Sequence, residues 1–237
     1  MKCWPALTMV VAAYAADPQQ VWEQALKAKG GRERLHGVHS LAIFLKPAQV
    51  NLAGPPTTWF CGFPDRYFEF EGRGSGPDSP RAIMVNETIG RVAMDAMGIP
   101  RAQGPLTEAH RERLTLNQVV FLLESAWLEP HPVTVKGKVL TVEAGGRTFR
   151  LYLNREDLPE RVQALPAKGR EPKNLYDYRL EHYREVQGVQ LPARLTWISG
   201  MRQWTWDADY EVDAKYNPKF FERMPDLADG PEPWRKP

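Results

Sequence analysis

The chain has 237 residues, 43% hydrophobic and 25% charged, a composition typical of a folded domain and unlike that of a disordered or collagen-like protein. Its 31 Lys and Arg against 29 Asp and Glu leave a net charge of +2, which gives no reason to expect nucleic acid as a partner. The 21 prolines exceed the average usage of roughly 5% and separate short predicted elements.

The N-terminus is predicted to be a cleaved signal peptide covering residues 1–15. A short basic start precedes an apolar run that ends in Ala13-Tyr14-Ala15, where the small residues suit signal peptidase. That run is shorter than the ~20 residues of a membrane-spanning helix, and Cys3 lies at the wrong end for a lipoprotein anchor. We therefore expect a periplasmic or secreted protein that begins at Ala16 and is not lipid-anchored.

The first element of the mature chain is predicted to be an amphipathic helix. Asp17-Pro18 supplies an N-cap and a proline for the first turn, and Gly30-Gly31 supplies the stop. Between them lie apolar residues at helical spacing, with a further short helical turn at 32–35. One domain is expected over residues 16–223, followed by a Pro-rich disordered tail at 224–237.

Strands dominate the rest of the chain. About a dozen short runs with period-two or apolar patterns are separated by turn-forming residues, and Gly145-Gly146 is a strong hairpin signal. The predicted strands are 38–46, 57–63, 66–71, 81–85, 91–95, 133–135, 139–144, 148–153, 161–165, 175–186, 193–199 and 203–213. Connections of hairpin length favour one antiparallel sheet over a parallel α/β arrangement.

One face of this sheet is apolar and needs a cover. From Trp204 to Val212 every second residue is apolar and the residues between are polar, and the strands before this one have the same pattern. The internal candidate for the cover is the stretch from Thr107 to Leu128, where Thr115 and Gln118 form a capping-box pair. We expect a helix over 119–127, buried on most sides within the concave face.

These elements predict a mainly β (α+β) protein. A large curved antiparallel sheet forms an incomplete β-barrel with an N-terminal helix and a central plug helix, and a hydrophobic cavity remains between them. The residues predicted to line the cavity are Trp204, Trp206, Tyr210, Tyr176, Tyr178, Leu195, Phe121 and Trp127. For each residue taken singly, packing in an ordinary core is the competing interpretation.

No catalytic or metal-binding motif stands out, so we predict no cofactor, no metal and no enzymatic activity. His36 and His39 lack further ligands nearby in sequence, and Asp207 and Asp209 fit the solvated face of a strand. Cys61 lies in an apolar strand, where a buried, inert thiol is expected. Catalytic groups scattered along the sequence would escape this search, so a hydrolase remains the third interpretation.

Several segments resemble the periplasmic lipoprotein-carrier family, the outer-membrane lipoprotein-sorting group. The resemblance spans Trp22 to Phe221 and is carried by packing and turn signatures. These are Gly30-Gly31 with Leu35 and Val38-His-Ser-Leu41, Phe63-Pro-Asp-Arg66, the strand–turn–strand from Tyr178 to Pro192, and Tyr216-Asn-Pro218 with Phe220-Phe221. It implies an incomplete antiparallel barrel, closed by helices, whose cavity takes lipid or lipoprotein acyl chains.

The leading interpretation is therefore a non-enzymatic binding protein that shields a lipid or acyl chain from water, with lipoproteins or other envelope proteins as partners. Apolar area supplies such binding at about 25 cal/mol per Å² before the costs of association. The alternative is an envelope sensor or protein-interaction module whose barrel is filled by its own side chains.

Overall fold

The computed structural model describes residues 17–48, 57–71, 82–86, 90–94, 100–105, 107–165, 176–199, 201–222 and 232–235. The predicted signal peptide and residues 223–231 of the chain lie outside these ranges.

Three α-helices are described: α1 (Pro18–Lys29), α2 (Arg32–His36) and α3 (Glu108–Leu122). The predicted start of α1 is confirmed, since the Asp17 carboxylate accepts a hydrogen bond from the Gln19 amide at 3.1 Å. Its predicted end is confirmed at Gly30, which has φ 133°. A Cβ at Gly30 would lie 2.3 Å from the carbonyl oxygen of Gly188, so this helix end is glycine-specific for steric reasons also.

Thirteen strands form one antiparallel sheet. They are β1 (Ser40–Pro47), β2 (Thr57–Gly62), β3 (Arg66–Glu71), β4 (Ala82–Asn86), β5 (Gly90–Met94), β6 (Pro100–Gly104), β7 (His131–Lys136), β8 (Val139–Ala144), β9 (Arg147–Leu153), β10 (Pro159–Ala164), β11 (Tyr176–Val186), β12 (Val189–Ser199) and β13 (Arg202–Val212). Their order is β6-β5-β4-β3-β2-β1-β13-β12-β11-β10-β9-β8-β7. Neighbours in the sheet are neighbours in sequence except at β1–β13, where the last strand pairs with the first.

The predicted fold class is thus confirmed, with one strand added. β6 escapes the sequence analysis because it begins at a proline and contains no large apolar or β-branched residue. β12 also begins at Val189, four residues earlier than predicted. The first half of the sheet, β1 to β6, and the second half, β7 to β13, are joined through α3.

The sheet curves around its helices. α1 packs against β7 and β8 as well as β12, although these strands are well separated in the sheet order. The Phe121 ring of α3 contacts Trp59 on β2 and Tyr210 on β13, with centroids 6.3 and 6.1 Å apart. Thr115 of the same helix packs against Gly145 in the β8–β9 turn. Helix α3 therefore lies inside the concave face, as predicted.

The boundaries predicted for α3 are wrong. The helix begins at Glu108 and ends at Leu122, and Leu123 has a left-handed backbone with φ 66°. Thr115 and Gln118 lie within the helix, so they are not a capping box at its start. Residues 119–122 are helical and fully buried, whereas 124–128 form a turn closed by a bridge between Ser125 and Leu128.

A second apolar cluster covers the convex face of β1 to β4. Two short 3-10 helices, Pro218–Glu222 and Pro233–Arg235, bring Phe221 and Trp234 onto Phe60, with ring centroids 5.7 and 4.9 Å from it. Trp234 is completely buried. The expectation of disorder throughout 224–237 is thus corrected for 232–235, because this tryptophan is fixed by packing.

Candidate functional site

Three half-buried aromatic side chains, Tyr176, Trp197 and Trp204, lie together at one end of the concave face. Trp197 and Trp204 are register partners on β12 and β13, and their rings stack with centroids 4.8 Å apart. Tyr176 begins β11 at the same end of the sheet. It precedes by two residues Tyr178, which is the register partner of Trp197. We call Tyr176, Trp197 and Trp204 the aromatic rim, a place where the apolar concave face reaches solvent.

The rim lies at the end of the sheet farthest from α2. Arg34 of α2 donates to the Gln187 carbonyl in the β11–β12 turn at 2.8 Å and pairs with Asp213, after β13, at 3.0 Å. Both contacts are at the ends of strands opposite to the rim. Helix α2 thus closes the end of the concave face opposite to the rim.

The predicted lining residues divide into three groups. Four are packed core, each with an exposed fraction of 7% or less: Trp206, Tyr178, Leu195 and Phe121. Three on the same face are half-buried: Trp204, Tyr176 and Tyr210. The eighth, Trp127, lies apart from the others. Contact of the concave residues with a ligand stays a prediction.

Trp127 does not belong to the plug helix or to the rim. It follows α3, is 42% exposed, and packs against Phe63 and His39 with ring centroids 6.4 and 5.5 Å apart. These two residues flank β1 and β2 at the end near α2. The placement of Trp127 on the plug is therefore corrected, because α3 stops five residues before it.

Two tyrosines lie deeper on the concave face. Tyr183 donates to the Pro159 carbonyl and Tyr210 to the Pro192 carbonyl, both at 2.7 Å. His182 has a left-handed backbone with φ 56°, and the alternation of β11 shifts there, so that Tyr183 packs on the core like Leu180. Burial raises the pKa of both tyrosines above the ordinary value, so each stays a neutral hydrogen-bond donor.

Lys29 is the most unusual side chain of this face. It belongs to the inward stripe of α1 with Trp22, Ala25 and Leu26, and it is completely buried. Its Nζ lies 4.7 Å from the centroid of the Tyr183 ring and has no hydrogen-bond or ion-pair partner in the described part of the chain. Burial lowers the pKa of Lys29 to about 7.

A buried carboxylate joins the helices at the closed end. Glu124 accepts hydrogen bonds from Arg32 Nη1 at 2.6 Å and Trp22 Nε1 at 3.3 Å, and its Oε1 lies 2.8 Å from His36 Nε2. Burial raises the pKa of Glu124, although the charges of Arg32 and His36 act against it. This cluster ties α1 and α2 to the segment after α3 and is explained as a structural junction.

A polar groove of about 490 Å³ opens beside β10 and β11. It lies over β10, β11 and the β9–β10 turn and is lined by Asn154, Glu156, Glu160, Arg161, Arg179, Leu180, Glu181, His182 and Tyr183. Arg161 forms a fork with Asp177 at 2.8 and 2.5 Å beside it. Burial of Asp177 opposes ionisation, but hydrogen bonds from Arg161 and Gln163 outweigh it and lower the pKa of Asp177. Positive and negative groups alternate here, and no ligand class is singled out.

Sequence reasoning missed Trp197, Tyr183 and Lys29. Trp197 follows Leu195 with period two and was recognisable as part of the apolar face. Lys29 follows Trp22 by seven residues, which puts a charged residue in the apolar stripe of α1. Tyr183 had no usable signal, because the shift of alternation at His182 depends on the backbone conformation.

The remaining candidates carry no site chemistry. Cys61 is buried, with Asn117 Nδ2 4.0 Å from its Sγ, as an inert position requires. Asp207 and Asp209 are exposed and pair with Arg194 and Arg184. Within the described ranges no group of three His, Cys, Asp or Glu side chains is placed to hold a metal ion, and no helix there is long and apolar enough to cross a membrane.

Comparison with known proteins gives structural similarity only. No protein-family model matches the sequence, and no curated protein matches it. A LolA superfamily protein from Nitrosomonas europaea is 13% identical with a TM-score of 0.49, and a DUF1329 family protein from Desulfovibrio piger is 10% identical with a TM-score of 0.47. Each similarity covers 87% of this chain and 98% of the other.

Proposed function

We propose that this protein binds the hydrocarbon chain of a lipid or acylated molecule at the aromatic rim and on the concave face behind it, as a carrier outside the cytoplasm. The supporting observation is the half-exposed stack of Trp197 and Trp204, which continues a fully buried apolar face. Aromatic and aliphatic surface that converges on a concave opening is the usual lining of a site for an apolar ligand. The proposal needs no catalytic group, and the signal peptide predicted at 1–15 would bring the chain to the periplasm or outside the cell.

A second candidate is a sensor or interaction module without a ligand. It is favoured by the filling of the face around α3, where Phe121 is 1% and Leu195 is 0% exposed. In this alternative the rim is simply the edge of an ordinary core.

Titration with the methyl ester of cis-parinaric acid, an uncharged fluorescent chain, distinguishes the two candidates. We expect saturable binding by the wild type and energy transfer from tryptophan to the probe. Trp204→Leu should weaken binding about tenfold, because the loss of ~50 Å² of contact at ~25 cal/mol per Å² is about 1.3 kcal/mol. Tyr152→Leu is the matched control, since Tyr152 is a half-buried aromatic residue on the outer face, hydrogen-bonded to Gln163.

Trp206→Leu separates the rim from the core. Trp206 is only 5% exposed, so its truncation should lower the free energy of unfolding by roughly 3 kcal/mol, whereas the half-buried Trp204 should lose clearly less. Absence of saturable binding by a folded wild type would reject the carrier and leave the sensor or interaction module.

A further inference from the structure

The amine of Lys29 is buried without a partner among the described residues, and the fold gives no reason for its burial. The side chain occupies the inward stripe of α1, where Trp22 and Leu26 precede it, yet it ends in a group that forms strong hydrogen bonds in water. Glu124, the buried carboxylate of the closed end, is used by Trp22, Arg32 and His36. A methionine would fill the same position without burying a polar atom.

The surroundings of Lys29 favour one negative charge as the missing partner. The ring of Tyr183 lies 4.7 Å from Nζ, and its hydroxyl is engaged with the Pro159 carbonyl. Arg34, on the neighbouring helix, already pairs with Asp213. Burial lowers the pKa of Lys29 to about 7, so an arriving anion would restore the charged form.

We propose that Lys29 Nζ binds the carboxylate of a long-chain carboxylic acid whose hydrocarbon chain runs along β11 to the aromatic rim. The inference rests on the proposed function and names its ligand class. Seven residues separate Tyr183, beside the amine, from Tyr176 at the rim, which is about 23 Å at ~3.3 Å per residue. That length suits a long extended acyl chain bound with its head group inward.

A carboxylate fits better than a phosphate. One ammonium neutralises one carboxylate, whereas a phosphate group carries about 1.5 to 2 negative charges at pH 7 and would keep an excess charge in an apolar site. Lys29 also lies in the last turn of α1, where the helix carbonyls add partial negative charge. A doubly charged head group would therefore be disfavoured.

The head group should decide which molecule binds. Leu180 and Tyr178, which lie between the amine and the rim on β11, are covered in the present state, with exposed fractions of 1% and 7%. A chain bound along them must replace apolar contacts made by the protein itself, so apolar burial gains little. The ion pair with Lys29 is an interaction that the empty protein does not have, and it supplies the preference.

Titration of the full-length chain with cis-parinaric acid and with its methyl ester tests the assignment, because the two probes differ only in charge. At neutral pH we expect the acid to bind the wild type about tenfold more tightly than the ester. Lys29→Met should bring the acid down to the affinity of the ester or below it, because the carboxylate then has no partner, and should leave the ester unchanged. Lys27→Met, an exposed lysine on the same helix, should keep the preference. The preference should also fade at alkaline pH as the amine loses its proton.

The outcomes separate the two proposals. If the ester binds but the acid has no advantage, or if Lys29→Met keeps the advantage, the carboxylate assignment is wrong and the proposed function stands. If a phosphate-headed chain such as lysophosphatidic acid displaces the ester better than the acid does, the head-group class is wrong. If neither parinaric probe binds to the folded wild type, the proposed function fails and the assignment fails with it.

Discussion

Replacement of Lys29 by methionine should stabilise this protein, and the size of the effect should depend on pH. Methionine has a similar length and the same high helix propensity, but it places a thioether instead of an amine in the core. Lys29 is completely buried and its Nζ has no partner among the described residues, so the fold loses no hydrogen bond. The substitution removes an unfavourable group and keeps the packing with Trp22 and Leu26.

The magnitude follows from the pKa of the amine. The ordinary lysine pKa is 10.5, and in the fold it is about 7. At about 1.36 kcal/mol per pKa unit, this difference destabilises the folded state by about 4 kcal/mol at pH 7, where the unfolded chain is fully protonated and the folded chain about half. We expect Lys29→Met to recover most of that free energy, a large part of the ~5–15 kcal/mol that holds a domain folded.

The sign of the pH dependence is opposite to that of a paired lysine. Between pH 7 and 10.5 the unfolded chain holds a proton that the folded chain has released, so wild-type stability at this site rises with pH. Urea unfolding at pH 7 and near pH 9.5 measures it. The gap between Lys29→Met and the wild type should shrink from about 4 to about 1 kcal/mol.

The exposed Lys27 on the same helix provides the control. Lys27→Met should change the free energy of unfolding by less than about 0.5 kcal/mol at either pH. A Lys29→Met variant that is less stable than the wild type at pH 7, or a gap that does not change with pH, would show that the folded protein satisfies the amine. Lys29 would then need no anionic ligand as a partner.

Four further substitutions test the packing of the fold. Gly30→Ala should lower the free energy of unfolding by more than about 2 kcal/mol, because its Cβ would collide with a carbonyl. Gly31→Ala, which has open space beside it, should lower the free energy of unfolding by about 1 kcal/mol, and equal losses would contradict the steric reason. Trp234→Ala should lower the free energy of unfolding, measured in denaturant, by about 3–5 kcal/mol. An unchanged value would mean that the C-terminal segment is not part of the core. Glu124→Leu should lower the free energy of unfolding by roughly 3 kcal/mol and leave Arg32 without this ion pair. Unchanged stability would mean that Glu124 does not hold the closed end together.

The order and kind of the elements followed from local patterns. Asp17 and Gly30 bound α1 as predicted, and the alternation from Trp204 to Val212 corresponds to β13 with its apolar side on the core. Such signals reside in residues a few positions apart, so a single sequence contains them. The start of α3 was misplaced because its first residues, from Glu108 to Arg113, are mostly polar, whereas the apolar run by which the helix was recognised begins only at Val119.

Only the tertiary structure shows which residues of the apolar face are packed in the core and which are partly exposed. Trp204 and Trp206 have the same pattern in sequence, yet one is half-buried and the other is 5% exposed, and Trp204 is the one nearer the start of β13. Lys29 becomes a buried, unpaired amine only where α1 meets Tyr183, a residue more than a hundred positions away. The sequence by itself determined the strands, the first helix and the existence of an apolar face. The burial and the pKa of a side chain depend on which distant parts of the chain meet. The pairing of β13 with β1 brings such parts together.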